Sequence, residues 1–223
     1  MYLSRVDLAR TTARQGALAA LLAGGADLGR DHGLIWTLFA DDPDAERDFL
    51  FRSDNGGGPP YYTLSPRPPE DPHGLWHIES KSFDPQLRAG DRLAFRLRAN
   101  PVVSRKPECG GRGKRHDLIM DAIHDAADRK AARTSNRISE IAVGWLEQQG
   151  DRNGFVVDTG STSAGGYQQH RFSTSNGNSA RLSSVDYDGK LTVTDPDAFL
   201  SRLFVGFGPG KAFGLGLMLI RRA

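Results

Sequence analysis

Twice along its 223 residues the sequence runs through one succession of patterns, a strand followed by helix and then by further strands, and that order limits the folds open to it. In the first half the opening YLSRVDL alternates apolar and polar residues, as a half-buried strand does. An alanine- and leucine-rich stretch from Thr11 to Ala23 reads as helix, stopped by Gly24-Gly25. A second helix starts with Asp31 as its N-cap and runs through HGLIWTLF. RDFLFRS and PYYTLSP read as short strands on either side of the turn-forming NGGGPP, and LWHIESKSF as another. This is most of a ferredoxin-like unit, with its second helix reduced or lost between Pro68 and His73.

In the second half DRLAFRLRANP is a strand ended by proline. A basic, glycine-containing loop leads to a helix over Asp117 to Ala132, and SEIAVGWLEQQG is a further helix capped by Ser139 and stopped at Gly150. NGFVVDTG, GYQQHRFS, ARLSSVDY and KLTVT are four strand candidates, with TGSTSAGG and STSNGNSA as loops between some of them. DPDAFLSRLFVGF, entered through Asp195-Pro196, is the last helix, and FGLGLMLIRR the last strand. The expected fold class is therefore α+β, with two tandem ferredoxin-like (RRM-like) domains over residues 1–88 and 89–223. The halves share topology and not sequence.

Composition narrows the function. With 38% hydrophobic and 25% charged residues the chain buries an ordinary core, and no apolar run reaches the ~18 to 20 residues that span a bilayer. The start of the chain has neither a basic amphipathic presequence nor a signal core, so the expected location is the cytoplasm. Cys109 is the single cysteine, which leaves no disulfide framework and no cysteine-based zinc site. A net charge of +2 identifies no polyanion partner, but its distribution is uneven. From Arg92 to Arg115 there are eight basic residues against one acid, Glu108, while Asp41 to Asp48 holds five acids and one arginine. Such a basic concentration attracts phosphate, although a solvated strand and loop accounts for it equally well.

The sharpest local motif is Gly206-Phe207-Gly208, five residues, then Gly214-Leu215-Gly216. Glycines let a backbone turn sharply and present N–H groups to a phosphate, and Lys211 within the insert adds a positive charge there. The order is neither that of a Walker loop nor that of a Rossmann fingerprint. His32 is the leading acid–base candidate: just after a cap, and in line with Ile35, Trp36 and Phe39, it is tethered to a packed face. Position alone favours a histidine simply hydrogen-bonded at a helix end. His116, Asp117, Asp121, His124 and Asp125 would share one side of a helix, which is more often a solvated face than a metal site. His73 and His77 fall on a strand pattern and do not share a face.

Taken in order, Met1-Tyr2-Leu3-Ser4, His32-Gly33-Leu34-Ile35-Trp36 with Leu38-Phe39, Arg47-Asp48-Phe49-Leu50-Phe51, Phe95 to Pro101, Gly189 to Thr194 and the glycine loop resemble the CasE family, the CRISPR RNA-processing endoribonucleases of type I-E (Cascade) systems. The resemblance implies two ferredoxin-like domains, no metal and no cofactor. It further implies a CRISPR repeat RNA hairpin as substrate, the other Cascade subunits as partners, and no membrane. Cleavage falls at the 3′ base of the stem, by 2′-OH attack that leaves a 2′,3′-cyclic phosphate. The family's histidine lies four residues before the tryptophan, which makes His32 the catalytic residue here. Arg105, Lys106, Arg112, Lys114, Arg115, Arg181, Gly208, Gly210 and Lys211 are the expected RNA contacts, with the glycine loop as a backbone cradle in the second domain. Well-studied members carry a tyrosine three residues before the histidine, where this chain has Gly29. Two other readings stand beside this one, a non-catalytic RNA-binding subunit and a metal-dependent nuclease built on His116 to Asp125.

Overall fold

The computed structural model describes residues 1–9, 28–39, 46–54, 58–72, 74–106, 111, 113–130, 133–173 and 179–223. The helix expected over Thr11 to Ala23 lies outside the described residues. The chain divides into two compact units: residues 1–86 with 211–217, and residues 87–210 with 218–223. It leaves the second unit after Gly210, adds seven residues to the first, and returns for its final strand. The glycine motif is thus shared between the units and is not confined to the second.

In the first unit β1 (Tyr2–Leu8) lies at the centre of a four-stranded antiparallel sheet with β2 (Leu50–Ser53), β3 (Tyr61–Ser65) and β4 (Trp76–Ser82), in the order β2-β3-β1-β4. This is the ferredoxin-like strand order. β1 places Val6 opposite Tyr61 and Ile78, and burying Val6 fixes which face of the sheet turns inward. The one helix described, α1 (Leu28–Trp36), is a poor helix by sequence. Gly29 and Gly33 each cost it about 1 kcal/mol relative to alanine. Tertiary packing holds it: Ile35 is fully buried, and it joins Leu38, Phe39, Phe49, Phe51, Tyr61 and Trp76 in one core. Aromatic rings run through that core, Phe39 stacking on Phe49 at 4.4 Å and Tyr61 meeting Trp76 edge-on at 6.0 Å. Between β3 and β4 no helix is found among the described residues, which agrees with the loss read around Pro68.

The second unit repeats the strand order with different cover. β5 (Arg92–Ala99), β8 (Phe155–Ser173), β9 (Ser179–Val193) and β10 (Met218–Arg222) form an antiparallel sheet ordered β10-β5-β9-β8. β5 is strictly two-faced: Leu93, Phe95, Leu97 and Ala99 are buried and the alternate residues are not. Helices α3 (Ser135–Arg152) and α4 (Pro196–Val205) supply the opposing layer through Trp145, Leu146, Phe199 and Leu203. The Asp195 carboxylate caps α4 by accepting from the Ala198 N–H at 3.1 Å, as the Asp-Pro start foretells. Helix α3 begins four residues earlier than Ser139 because Thr134, accepting from the Arg137 N–H, is its cap. All four expected strands and the TGSTSAGG loop merge into the long β8–β9 hairpin, whose pairing slips between Asp158 and Ser163 and again between Gly165 and Gln168. A glycine- and serine-rich bulge within a strand carries the same composition as a loop.

The basic loop is also a hairpin. β6 (Val102–Arg105) pairs with β7 (Lys114–Asp117), and α2 (Leu118–Asp125) follows directly, capped by Asp117, whose carboxylate accepts from the N–H groups of Ile119 and Met120. The helix is shorter than the expected Asp117 to Ala132 because its backbone turns extended at Ala126.

Candidate active site and basic hairpins

In the first unit the construction starts one residue before the histidine. Asp31 does not cap α1, which already runs from Leu28. Its buried carboxylate instead accepts from the Tyr61 hydroxyl at 2.8 Å and from the Gly58 N–H at 3.0 Å, bolting α1 to the start of β3. Burial and the Asp31 carboxylate both push the Tyr61 phenol up, so it stays a donor. His32, a turn inside the helix, lies against Trp36 with ring centroids 5.7 Å apart, and Trp36 in turn meets Phe49 at 5.4 Å. The alignment of His32 with a packed aromatic face holds; the position at the helix's N-terminal cap does not.

The histidine's Nδ1 is buried and has no hydrogen-bond partner among the described residues, so Nε2 is the nitrogen left for a substrate. Burial first, and the Arg47 charge second, hold the imidazole pKa below its ordinary value of 6.5. His32 is therefore neutral at pH 7 and ready to accept a proton. Arg47 is half-buried and donates from one terminal nitrogen to the Phe49 carbonyl at 2.6 Å. Sequence reasoning gave Arg47 no role beyond its place in the Arg47-Asp48-Phe49-Leu50-Phe51 motif. The turn Lys211–Phe213, a single 3₁₀ turn, packs against both β2 and α1 and brings Lys211 into this unit. Gly214 makes that packing possible: its φ is +76°, and a Cβ there would lie 3.1 Å from the Phe51 ring.

The other expected contacts fall in the second unit. Gly208 and Gly210 both have positive φ, and a Cβ at Gly208 would stand 2.8 Å from the Asn100 carbonyl oxygen, so its glycine is required by packing. Lys106, Lys114 and Arg115 are exposed on or beside the β6–β7 hairpin. Arg112 lies outside the described residues. Arg105 is a different case from its neighbours. Its guanidinium binds both oxygens of Asp121 and reaches Asp125 at 2.6 Å, so it ties the hairpin to α2 and has its donors engaged within the protein. The same contacts occupy Asp121 and Asp125, and Asp117 serves as a helix cap, which leaves the proposed His–Asp metal cluster without unengaged carboxylates on that face. Among the described residues no group of three or more metal-ligating side chains converges.

Arg181 is exposed on β9 directly opposite Arg171 of β8. Two like charges face to face across an antiparallel pair repel unless an anion lies between them. Arg171 was not foreseen, because the slips in β8 hide the register from the sequence. Among the described residues no helix is long and apolar enough to cross a membrane.

Two ferredoxin-like units in tandem, one with a neutral histidine beside an arginine and the other with cation-bearing hairpins, define the class of protein. A family model described as CRISPR associated protein matches residues 1–222, and the chain belongs to that family. It is 27% identical over 224 residues to the CRISPR system Cascade subunit CasE of Escherichia coli (strain K12), with 98% of each chain covered. To the CRISPR-associated endoribonuclease Cse3 of Thermus thermophilus it is 34% identical over 140 residues, 63% of this chain and 60% of that one. Among solved structures, Cse3 bound to a 19-nt RNA aligns with a TM-score of 0.69 at 24% identity, over 99% of this chain and 100% of the other. Cas6e from Escherichia coli K-12 aligns with a TM-score of 0.60 at 25% identity over 100% of both.

Proposed function

We propose that the protein is an endoribonuclease that recognises the hairpin of a CRISPR repeat RNA and cuts precursor CRISPR RNA at the 3′ base of the stem. It then stays on its product as a subunit of a cytoplasmic Cascade complex. The observation that carries the reading is His32, packed against Trp36 with Nδ1 buried and its pKa held below the ordinary value by burial. The reaction needs a proton removed from a ribose 2′-OH as the 2′-oxygen attacks phosphorus, and a proton delivered to the departing 5′-oxygen. A neutral imidazole suits the first task, and once protonated it is an acid for the second. The products are a 2′,3′-cyclic phosphate and a 5′-OH, with no metal in either step.

In this reading residues 1–88 carry the catalytic histidine and residues 89–223 grip the hairpin. Lys106, Arg112, Lys114, Arg115 and Arg181 meet phosphates or base edges, Gly208 and Gly210 hold the glycine loop, and Lys211 lies by the reacting phosphate. Arg105, with its carboxylate partners, orders the basic hairpin. The test is cleavage of the repeat hairpin in chelator by wild-type protein and by His32→Ala. Wild type should yield a cyclic-phosphate end. The variant should lose on the order of 10²- to 10⁴-fold in rate, the usual contribution of a general acid–base group, while binding the hairpin normally. Normal cleavage by the variant would overturn the role of His32, and binding without cleavage by wild type would leave an RNA-binding subunit.

A further inference from the structure

We propose that Arg47 is a second catalytic residue, which holds a non-bridging oxygen of the scissile phosphate while its anchored end stays on the Phe49 carbonyl. This rests on the reading of His32 as the acid–base group and extends it. Three observations in the first unit converge on the guanidinium.

The first is placement. One terminal nitrogen is fixed at 2.6 Å on the backbone of Phe49, whose ring meets Trp36, which in turn meets His32. The aromatic ladder and the backbone anchor thus tie both residues to Phe49. Its charge is felt there, acting on His32 in the same direction as burial.

The second is the missing counter-charge. Arg47 is half-buried, and burial lowers its own pKa, yet among the described residues no carboxylate pairs with it. Other arginines are treated differently: Arg67 in the same unit pairs with Asp48, and Arg98 in the second unit holds Asp186 through two hydrogen bonds of 2.7 Å. A partly desolvated cation without an anion costs stability unless something else gains by it. The group that removes the cost is an anion arriving from outside, and a planar guanidinium matches phosphate oxygens two at a time.

The third is the chemistry. During 2′-OH attack the 2′-O–P bond forms and the P–O5′ bond breaks while negative charge builds on the two non-bridging oxygens. A fixed donor aimed at that charge stabilises the transition state more than the ground state. Arg47 keeps its proton throughout; the proton taken from the 2′-oxygen and the one given to the 5′-oxygen pass through His32.

The test compares wild type, Arg47→Gln and Arg47→Lys in single-turnover cleavage of the repeat hairpin across pH, with hairpin affinity and thermal unfolding measured on each protein. Arg47→Gln should lose on the order of 10²- to 10³-fold in rate, the usual effect of one transition-state donor, with affinity changed no more than about threefold. Arg47→Lys should recover part of that rate, and in Arg47→Gln the limb of the pH profile controlled by His32 should move to higher pH as the repelling charge goes. The proposal falls if Arg47→Gln cleaves within about threefold of wild type. It falls equally if the lost rate tracks lost affinity or lost folding, or if a folded Arg47→Lys is no better than Arg47→Gln and the His32 limb stays put. Full loss in His32→Ala with an unaffected Arg47→Gln would sink this inference alone, whereas an unaffected His32→Ala would sink the reading beneath it.

Discussion

The two units are built on one strand order and differ in the partners given to the arginine beside the half-buried histidine of each. In the first, the buried Asp31 ties a weak helix to β3, and the cation next to the histidine has no carboxylate partner among the described residues. In the second, arginines and aspartates are matched across the sheet and the hairpin: Arg98 with Asp186, Arg96 with Asp188, Arg105 with Asp121 and Asp125. Lys106, Lys114, Arg115, Arg171 and Arg181 remain exposed around these pairs. In the proposed reading, one unit holds charge for the reaction and the other arranges charge along surfaces for grip. Topology does not decide between these uses; the partners given to each charge do.

The comparison breaks first at Asp31. Replacing it by alanine leaves a buried Tyr61 hydroxyl and the Gly58 N–H without their acceptor, at about 1–3 kcal/mol for each unsatisfied group. Thermal unfolding of Asp31→Ala should register that loss. Cleavage should fall further than unfolding accounts for, since His32 rides on the same turn. A variant as stable and active as wild type would mean that α1 holds its place by apolar packing alone.

A second test uses the two half-buried histidines, one per unit. Burial and a nearby arginine lower the pKa of His32 through Arg47 and of His170 through Arg98. For each, the unfolded chain binds a proton more readily than the folded one. Stability is therefore full above the unfolded value of 6.5 and declines as pH falls through it towards the folded pKa. Melting at pH 5.5 should lie below melting at pH 7.5, and His170→Gln should narrow that difference without touching the acid limb of cleavage. If His170→Gln moved the cleavage limb, the separation of chemistry from grip would fail.

The same contrast explains what the sequence could say. The strands β1 and β5 were legible because they alternate in and out with a period of two, and the glycine motif because positive φ at Gly208 and Gly214 excludes other residues. His32 was singled out through the resemblance, by its spacing to Trp36. Its helix start was misplaced because Asp31 resembles a cap until the distant Tyr61 is seen to claim its carboxylate. The surroundings of Arg47 and Arg105 were hidden for one reason: an arginine's meaning lies in its partner. Neither the pairing of Arg105 with Asp121, sixteen residues on, nor the anchoring of Arg47 on a backbone carbonyl in place of a carboxylate is written locally. The merged β8 strand was hidden because a bulge has a loop's composition.

The smallest effect expected is also the most discriminating, since it separates two cations that face each other across the β6–β7 register. Lys114 is exposed and free to neutralise an RNA phosphate, so Lys114→Gln should lower the slope of log affinity against log salt by about 0.7 to 0.9. Arg105 already neutralises Asp121 and Asp125. Removing its charge releases no counterion, so the slope for Arg105→Gln should stay near that of wild type, while any loss of affinity is constant across salt and reflects a loosened hairpin. Equal changes in slope for the two variants would return Arg105 to the set of direct RNA contacts and would make the carboxylates of α2 a counter-charge that the RNA displaces.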